Sequence, residues 1–193
     1  MEKCLGTEGR MVDSKIKKLL NIIFHNSKYL SGEITLLAIA SAGGHWVELR
    51  RLRPAWKGCK VTYVSTSANR KEELIKEAKK NQMDIPQYYT VIEASRWEKA
   101  KLLRQFVQIF IIILRTRPQV IISTGAAPGF FALKIGKLLG AQTIWVDSIA
   151  NARELSLSGE KVASSADLWL TQWEHLVEKD IKKMQLRYEG KII

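Results

Sequence analysis

The sequence is poor in cysteine and lacks the common phosphate-binding signatures. Its two cysteines, Cys4 and Cys59, give neither a disulfide framework nor a zinc-ligand spacing, as expected for a reducing cytoplasm. It contains no Walker pattern, G-x-x-x-x-G-K-S/T, and no G-x-G-x-x-G after the first apolar run. The sequence therefore argues against a kinase, a P-loop ATPase and a dinucleotide oxidoreductase. A secretory signal peptide is not expected either, because polar residues through Asp13 precede an apolar stretch that His25 and Asn26 interrupt.

Acidic residues are also scarce. The chain of 193 residues has 19 Asp and Glu against 31 Lys and Arg, and the net charge of +12 implies an anionic partner. Nucleic acid, anionic lipid headgroups and sugar-nucleotide or lipid-diphosphate substrates all satisfy that charge. Nucleic acid is disfavoured, because the basic residues are scattered and form no aromatic-basic recognition motif.

Continuous apolar runs alternate with helical stretches along the chain. Such runs are typical of strands buried on both faces, so the order predicts an α/β fold, a Rossmann-like doubly wound parallel sheet. The predicted strands are Ile34 to Ala40, Lys60 to Ser65, Tyr88 to Ile92, Val120 to Ser123, Gln142 to Asp147 and Leu168 to Thr171. The predicted helices are Glu48 to Ala55, Arg70 to Asn81, Trp97 to Thr116, Gly129 to Leu139, Ser158 to Ser165 and Trp173 to Gln185.

The loop after the first strand is the most informative segment. Ser41, Gly43, Gly44 and His45 join a strand to a predicted helix, where backbone N–H groups and the helix dipole can hold an anion. His45 opens the helix beside that anion, and an imidazole can act as general base near neutral pH. The alternative is an ordinary turn, in which the glycines only permit positive φ and His45 caps the helix or is solvated.

Two further loops of small and polar residues follow strands of the same predicted sheet. Thr124, Gly125 and Gly129 follow the fourth strand, and Asp147 and Ser148 follow the fifth. Ligands of doubly wound sheets bind outside the carboxyl ends of the strands, so these residues are candidate binding groups. Ordinary turn chemistry is the alternative for the glycines, and capping of the next segment is the alternative for Asp147.

A family resemblance rests on five motifs in fixed order. They are Ser41–His45, Ile122–Gly129, Trp145–Ala150, Leu155–Gly159 and Thr171–Glu174. From Ile34 onward the chain resembles polysaccharide glycosyltransferase subunits of the PssD type. These are similar to the membrane-anchoring subunit of the dolichol-linked N-acetylglucosamine transferase and, more distantly, to the N-terminal half of MurG.

The resemblance implies the N-terminal, acceptor-binding half of a GT-B glycosyltransferase. A second Rossmann-like chain is then expected to hold the UDP-sugar donor, so this chain needs no cofactor of its own and is active only with its partner. The implied reaction is inverting transfer, without a metal, to a polyprenyl-diphosphate-linked sugar. His45 is the expected base, and Gly43 and Gly44 are expected to cradle the acceptor diphosphate. A non-catalytic scaffold that recruits and activates a catalytic partner is the alternative.

Glu48 is a second catalytic candidate, because it lies three residues after His45 on the same helix face. It can orient the imidazole or bind a sugar hydroxyl. The alternative for Glu48 is a solvated surface carboxylate.

Two segments point to the cytoplasmic face of the plasma membrane. Residues 1–32 form a predicted amphipathic segment ahead of a domain at 33–193, with an apolar stripe and flanking lysines that suit a helix in the lipid headgroup plane. The apolar stripe consists of Ile16, Leu19, Leu20 and Ile23, and the flanking lysines include Lys17 and Lys18. The second segment, around Phe106, Phe110 and Arg115, is apolar on nearly every side, so its outer face is expected to meet lipid or the partner. Packing against the domain is the alternative for both segments.

Overall fold

The protein contains one seven-stranded parallel sheet with helices on both faces. The computed structural model describes residues 33–178 and 185–192. The strands are β1 (Thr35–Ala40), β2 (Lys60–Ser65), β3 (Gln87–Thr90), β4 (Val120–Ser123), β5 (Gln142–Val146), β6 (Leu168–Thr171) and β7 (Leu186–Tyr188). Their order across the sheet is β3-β2-β1-β4-β5-β6-β7, and every neighbouring pair is parallel. The predicted doubly wound parallel sheet is therefore confirmed.

The helices divide between the two faces of the sheet. They are α1 (Gly44–Arg51), α2 (Asn69–Lys80), α3 (Lys99–Thr116), α4 (Ala126–Leu138), α5 (Leu157–Val162) and α6 (Glu174–Glu178). Trp46 and Leu49 of α1 and Leu74 of α2 pack in one core cluster with Ile192. Residues of α3, α4, α5 and α6 form the cluster on the opposite face. The two layers exclude water from both sides of the central strands.

The order of the strands locates the ligand crevice. From β1 the sheet runs in one direction through β2 and β3, and in the other through β4 to β7. Ligands of doubly wound sheets bind at the point where the order reverses, outside the carboxyl ends of the strands. That point lies between β1 and β4, so the loop at Ser41–His45 and the loop at Thr124–Gly125 meet there.

Several predicted boundaries are wrong, and each error has a local cause. The first predicted helix begins late: α1 starts at Gly44 and ends at Arg51, and Pro54 follows in a 3₁₀ turn at Arg53–Trp56. Helix α4 starts at Ala126 rather than Gly129, because Pro128 is tolerated within a first turn. The last predicted helix, Trp173 to Gln185, is helical at Glu174–Glu178 among the described residues.

One strand, β7, was not predicted from the sequence. β7 has three residues and pairs with β6 at the edge of the sheet. Such a short run has no measurable hydrophobic period, so the pattern along the chain does not reveal it. The amphipathic segment predicted within residues 1–32 lies outside the described residues.

Candidate functional site at the carboxyl edge of the sheet

The Gly-Gly turn leaves the amino end of α1 open. Gly43 precedes the helix, and no side chain caps the helix end. The first N–H groups of an α-helix have no carbonyl partner within that helix, so these donors are available to a ligand. Gly43, the residue before the helix, combines φ −83° with ψ −135°, which lies outside the regions favoured by residues with a side chain, so its own backbone favours glycine. Neither glycine has a positive φ, because Gly43 has φ −83° and Gly44 is not among the residues with positive φ. The alternative explanation of these glycines through positive φ is therefore wrong.

Packing against the described residues requires neither glycine. A Cβ built on Gly43 or on Gly44 would meet none of their atoms within 4 Å, and both residues are exposed. The space above the helix end is therefore open to a group from outside the chain. Close approach of a ligand to the backbone is a common reason for glycine where the fold does not need it.

The strand-side half of this loop is anchored by α2 and by the segment after β2. The Ala42 N–H donates to Thr66 Oγ1 at 3.1 Å, and Arg70 Nη2 donates to the Ala42 carbonyl at 2.8 Å. Ser41 is half-buried beside them. Arg70 also forms an ion pair with Glu73. These contacts fix the turn on its outer side and leave the glycines uncovered.

His45 lies against the loop that follows β4. Thr124 Oγ1 donates to the His45 carbonyl at 2.6 Å. A Cβ on Gly125 would lie 2.5 Å from both Nδ1 and Cε1 of the imidazole, so the ring packs directly on this glycine. Nδ1 is buried and has no hydrogen-bond partner within the part of the chain that the structure describes. A buried polar atom without a partner costs about 1–3 kcal/mol, and such atoms are found where function requires them.

The β4 loop owes its glycines to the fold. Gly125 has φ +146° and its N–H donates to Ser123 Oγ at 3.1 Å. The next residue, Ala126, keeps a positive φ of 65°, which is uncommon for a residue with a side chain. A Cβ on Gly129 would collide with the Ser123 side chain. Turn geometry and packing therefore account for Gly125 and Gly129, and their role in acceptor binding stays a prediction.

Asp147 organises the loop after β5. It is 1% exposed, and its carboxylate accepts hydrogen bonds from Trp145 Nε1 at 3.1 Å, from Asn151 Nδ2 at 3.2 Å and from both the N–H and the hydroxyl of Ser156. Ser156 in turn caps α5 by accepting from the Gly159 N–H at 2.9 Å. The side chain of Asp147 thus faces its own loop, and any role in ligand binding is through that loop.

Glu48 is buried. It is 6% exposed, so the interpretation of a solvated surface carboxylate is wrong. Its oxygens accept from Ser148 Oγ at 2.7 Å, from the Ile149 N–H at 3.3 Å and from Gln172 Nε2 at 3.2 Å. Among the described residues no hydrogen bond joins Glu48 to His45. Although Glu48 and His45 lie on the same face of α1, their side chains form no hydrogen bond, because Glu48 turns toward the loops after β5 and β6.

Gln172 is the site residue that the sequence analysis missed. It is 1% exposed and joins Glu48 to the Asp147 carbonyl and to the Ile192 N–H. The signal was available, because Gln172 directly follows β6 at the same edge as the other candidates. The motif Thr171–Glu174 contains Gln172, and the argument applied to the ends of the fourth and fifth strands would also have predicted it if applied to the sixth.

A second feature is an exposed apolar surface on α3, here called the α3 face. Its six residues are each between 37% and 65% exposed. They are Leu103, Phe106, Val107, Phe110, Ile111 and Leu114. Phe106 also meets the edge of Phe131, in α4, at a ring separation of 5.6 Å.

The α3 face begins at the carboxyl edge of the sheet. Trp97, just ahead of α3, is 79% exposed, with the Arg96 guanidinium 4.8 Å from its ring centre. Helices of a doubly wound sheet run antiparallel to its strands, so the first turns of α3 lie at the carboxyl edge. Arg115, near the other end of α3, is exposed. Within the described ranges, no helix combines the length and the apolar character needed to cross a membrane.

The likeness to solved structures gives the class of the protein. The chain is similar to MurG of Acinetobacter baumannii, with a TM-score of 0.56 and 12% identity over 72% of this chain and 41% of that chain. It is also similar to UDP-N-acetylglucosamine 2-epimerase from Rickettsia bellii, with a TM-score of 0.58 and 12% identity over 83% and 46%. The chain spans less than half the length of these structures. It is a Rossmann-like domain of the type that forms one half of GT-B proteins.

The sequence gives the family. The Alg14-like family of oligosaccharide biosynthesis proteins matches residues 36–191, and the chain belongs to this family. It is 29% identical over 167 residues to the UDP-N-acetylglucosamine transferase subunit ALG14 of Candida albicans, covering 79% of this chain and 76% of that protein. The Mus musculus subunit of the same name is 27% identical over 187 residues, with 83% of each chain covered. The resemblance drawn from the motifs is confirmed, and so is the general class of glycosyltransferase subunit.

Proposed function

We propose that this chain is the acceptor-binding, membrane-associated subunit of a two-chain inverting glycosyltransferase. The reaction transfers a sugar from a UDP-sugar to a polyprenyl-diphosphate-linked sugar in polysaccharide biosynthesis. Family membership supports the general class, and the relatives are named as UDP-N-acetylglucosamine transferase subunits. N-acetylglucosamine is therefore the first sugar to test, with galactose and glucuronic acid as the other donors.

The open Gly-Gly turn is the observation that carries the proposal. Gly43 and Gly44 are exposed, and at Gly44 neither positive φ nor packing against the described residues accounts for the missing side chain. The uncapped helix end offers N–H donors and the positive end of a dipole, which together suit a diphosphate. The net charge of +12 favours such an anionic substrate.

His45 is the general base in this proposal. It sits in the first turn of α1, beside the proposed diphosphate site, and Thr124 and Gly125 hold it there. Deprotonation of the acceptor hydroxyl by the imidazole lets that oxygen attack the anomeric carbon, and the nucleoside diphosphate leaves from the opposite face. Among the described residues no group of three or more metal-ligating side chains is assembled.

The partner chain supplies the donor site. A GT-B reaction centre lies between two Rossmann-like domains, and the described chain builds one sheet. We expect the partner to be a second Rossmann-like subunit that completes such a centre with this sheet, and turnover then requires both chains. The word subunit in the relatives' names fits this arrangement.

The α3 face is the proposed membrane contact of the described domain. Contiguous exposed apolar side chains mark interaction surfaces, and basic residues near an anionic bilayer contribute about 1 kcal/mol each. Trp97 extends this surface to the carboxyl edge, where a lipid-linked acceptor would enter. Together with the predicted amphipathic segment of residues 1–32, this surface supports the proposal that the chain attaches to the cytoplasmic face of the plasma membrane.

Reconstitution tests the proposal. The chain and its partner, purified separately and mixed, are assayed with radiolabelled UDP-sugars and a polyprenyl-diphosphate-linked acceptor. We expect transfer by the mixture and none by this chain alone, because one half cannot close around both substrates. In the mixture, His45→Ala should lower turnover by about 10²–10⁴, as for other general acid–base groups.

A matched histidine variant controls this experiment. His175 is exposed and contacts the Ala152 carbonyl at 2.8 Å, so His175→Ala should keep full turnover. Each variant must first melt and bind the partner as the wild type does. Turnover by the single chain would contradict the two-chain proposal. Full turnover with His45→Ala would instead favour the non-catalytic scaffold.

A further inference from the structure

A buried carboxylate ties α1 to two loops on the far side of the crevice. Glu48 lies on the second turn of α1, and three donors reach its oxygens: Ser148 Oγ, the Ile149 N–H and Gln172 Nε2. An ionised carboxylate only accepts hydrogen bonds, so these three donors match it. The side chain is 6% exposed. Its burial and its occupied lone pairs leave it poorly suited to take a proton from a substrate.

The amide of Gln172 has a defined orientation. Nε2 donates to Glu48 Oε2 at 3.2 Å and to the Asp147 carbonyl at 3.0 Å, and Oε1 accepts from the Ile192 N–H at 2.8 Å. Exchanging the amide oxygen and nitrogen would place an oxygen against two acceptors and an NH₂ against a donor. The hydrogen bonds therefore select one orientation, and that orientation requires an acceptor at Glu48.

Helix α1 is consequently held at two points. On the first turn, Thr124 donates to the His45 carbonyl. On the second turn, Glu48 is held by Ser148 and Gln172. The first contact joins α1 to the loop after β4, and the second joins it to the loops after β5 and β6. Together they fix the rotation and depth of the helix whose amino end carries Gly43, Gly44 and His45.

We propose that Glu48 and Gln172 are a pair of positioning residues for the transfer reaction. This inference rests on the proposed function, since it places the pair behind the acceptor site. The pair acts through α1: it keeps the imidazole of His45 and the open N–H groups of the turn aimed at the same acceptor. Displacement of a reacting group by about 1 Å can lower turnover by as much as about 10²-fold.

Exchange of donor and acceptor tests the pair in the reconstituted complex. Glu48→Gln sets an amide NH₂ against the NH₂ of Gln172, and Gln172→Glu sets two carboxylates together. We expect each single variant to lower kcat by about 10- to 100-fold. The double variant restores the match of donor and acceptor between positions 48 and 172 and keeps an acceptor for the Ile192 N–H, but it sets a carboxylate oxygen against the Asp147 carbonyl, so we expect partial rescue. Its kcat should exceed that of Glu48→Gln by at least about twofold, a coupling that independent sites do not show.

Two controls separate positioning from loss of the fold. All variants must bind the partner and be compared well below their melting temperatures, and Glu160→Gln, an exposed glutamate on α5, should leave kcat unchanged. A double variant no more active than Glu48→Gln would overturn the proposal, because a carboxylate that acts on the substrate is not rescued by its neighbour. Full activity of Glu48→Gln would overturn it as well.

A spectroscopic readout keeps the test independent of turnover. The His45 Cε1–H resonance of ¹³C-labelled protein, assigned by its loss in His45→Ala, reports the ring position against Gly125. It should shift in both single variants and return toward the wild-type position in the double variant. An unchanged resonance in both single variants would overturn the positioning pair. Absence of transfer by the wild-type complex, with the resonance behaving as expected, would instead count against the proposed function.

Discussion

Replacement of Gly44 by alanine should separate stability from acceptor binding. Gly44 is the first residue of α1, its φ is outside the left-handed region, and a Cβ there meets nothing within 4 Å. Alanine is favoured over glycine in helices by up to about 1 kcal/mol. Gly44→Ala should therefore raise the free energy of unfolding by up to that amount, or the melting temperature by about 2–4 °C per kcal/mol at this chain length.

The same methyl group should weaken acceptor binding. It would occupy the open space above the helix N–H groups, where the proposal places the diphosphate. Loss of one hydrogen bond to a charged group costs about 1.5–3 kcal/mol, which corresponds to a Kd about 10- to 150-fold higher. We expect a higher acceptor KM with kcat largely kept, since the contact exists before and during the reaction.

Calorimetry and acceptor titration of the reconstituted complex measure the two effects. Asn69→Ala is the matched control, because Asn69 is the exposed first residue of α2 and lies outside the turn. It should leave acceptor affinity unchanged. Wild-type acceptor affinity in a well-folded Gly44→Ala complex would refute the assignment of the diphosphate to this helix end.

Three other substitutions or reactions test separate parts of the structure. Gly125→Ala should destabilise the chain and reduce turnover together, because φ is +146° and the added Cβ would lie 2.5 Å from the His45 ring; thermal melting and an assay at low temperature check both losses. Phe110 is 39% exposed on the α3 face, so Phe110→Ser should weaken sedimentation with anionic liposomes by about 2 kcal/mol, or about 30-fold, whereas the exposed Leu138→Ser should not. Burial raises the pKa of the Cys59 thiol, with a smaller contribution from Glu33, so in a Cys4→Ser background iodoacetamide should react more slowly at pH 8 with folded than with denatured protein; equal rates would contradict this.

The fold was largely predictable because most of its strands and helices give patterns several residues long. Six strands and their order along the chain followed from continuous apolar runs, and parallel pairing followed from the helices between them. β7 has three residues and pairs with one neighbour, so no period along the chain distinguishes it from a helix end. β7 forms by pairing with the outer edge of β6, and that edge exists only once the rest of the sheet has folded.

The location of the site was predictable from the sequence, but which of its residues are buried in hydrogen-bond networks was not. Strand ends pointed to Gly43, His45, Gly125 and Asp147, and the structure places all four at one edge. The burial of Glu48 was not predictable, because the sequence around a charged residue one turn after His45 does not show whether the side chain faces water or the loop after β5. Glu48 is buried only through Ser148 and Gln172, which are 100 and 124 residues further along the chain.

The glycines show how structure separates a requirement of the fold from a requirement of function. Gly129, Gly136 and Gly159 leave no room for a Cβ beside Ser123, Ile121 and Asp147, so packing alone accounts for glycine at these three positions. A Cβ on Gly44 would meet nothing among the described residues and Gly44 has no positive φ, so the fold would accept alanine there. The sequence alone does not distinguish a glycine that packing requires from a glycine that the fold does not require. The second kind needs a cause outside the chain, and at an uncapped helix end on a basic protein that cause is an anionic ligand close to the backbone.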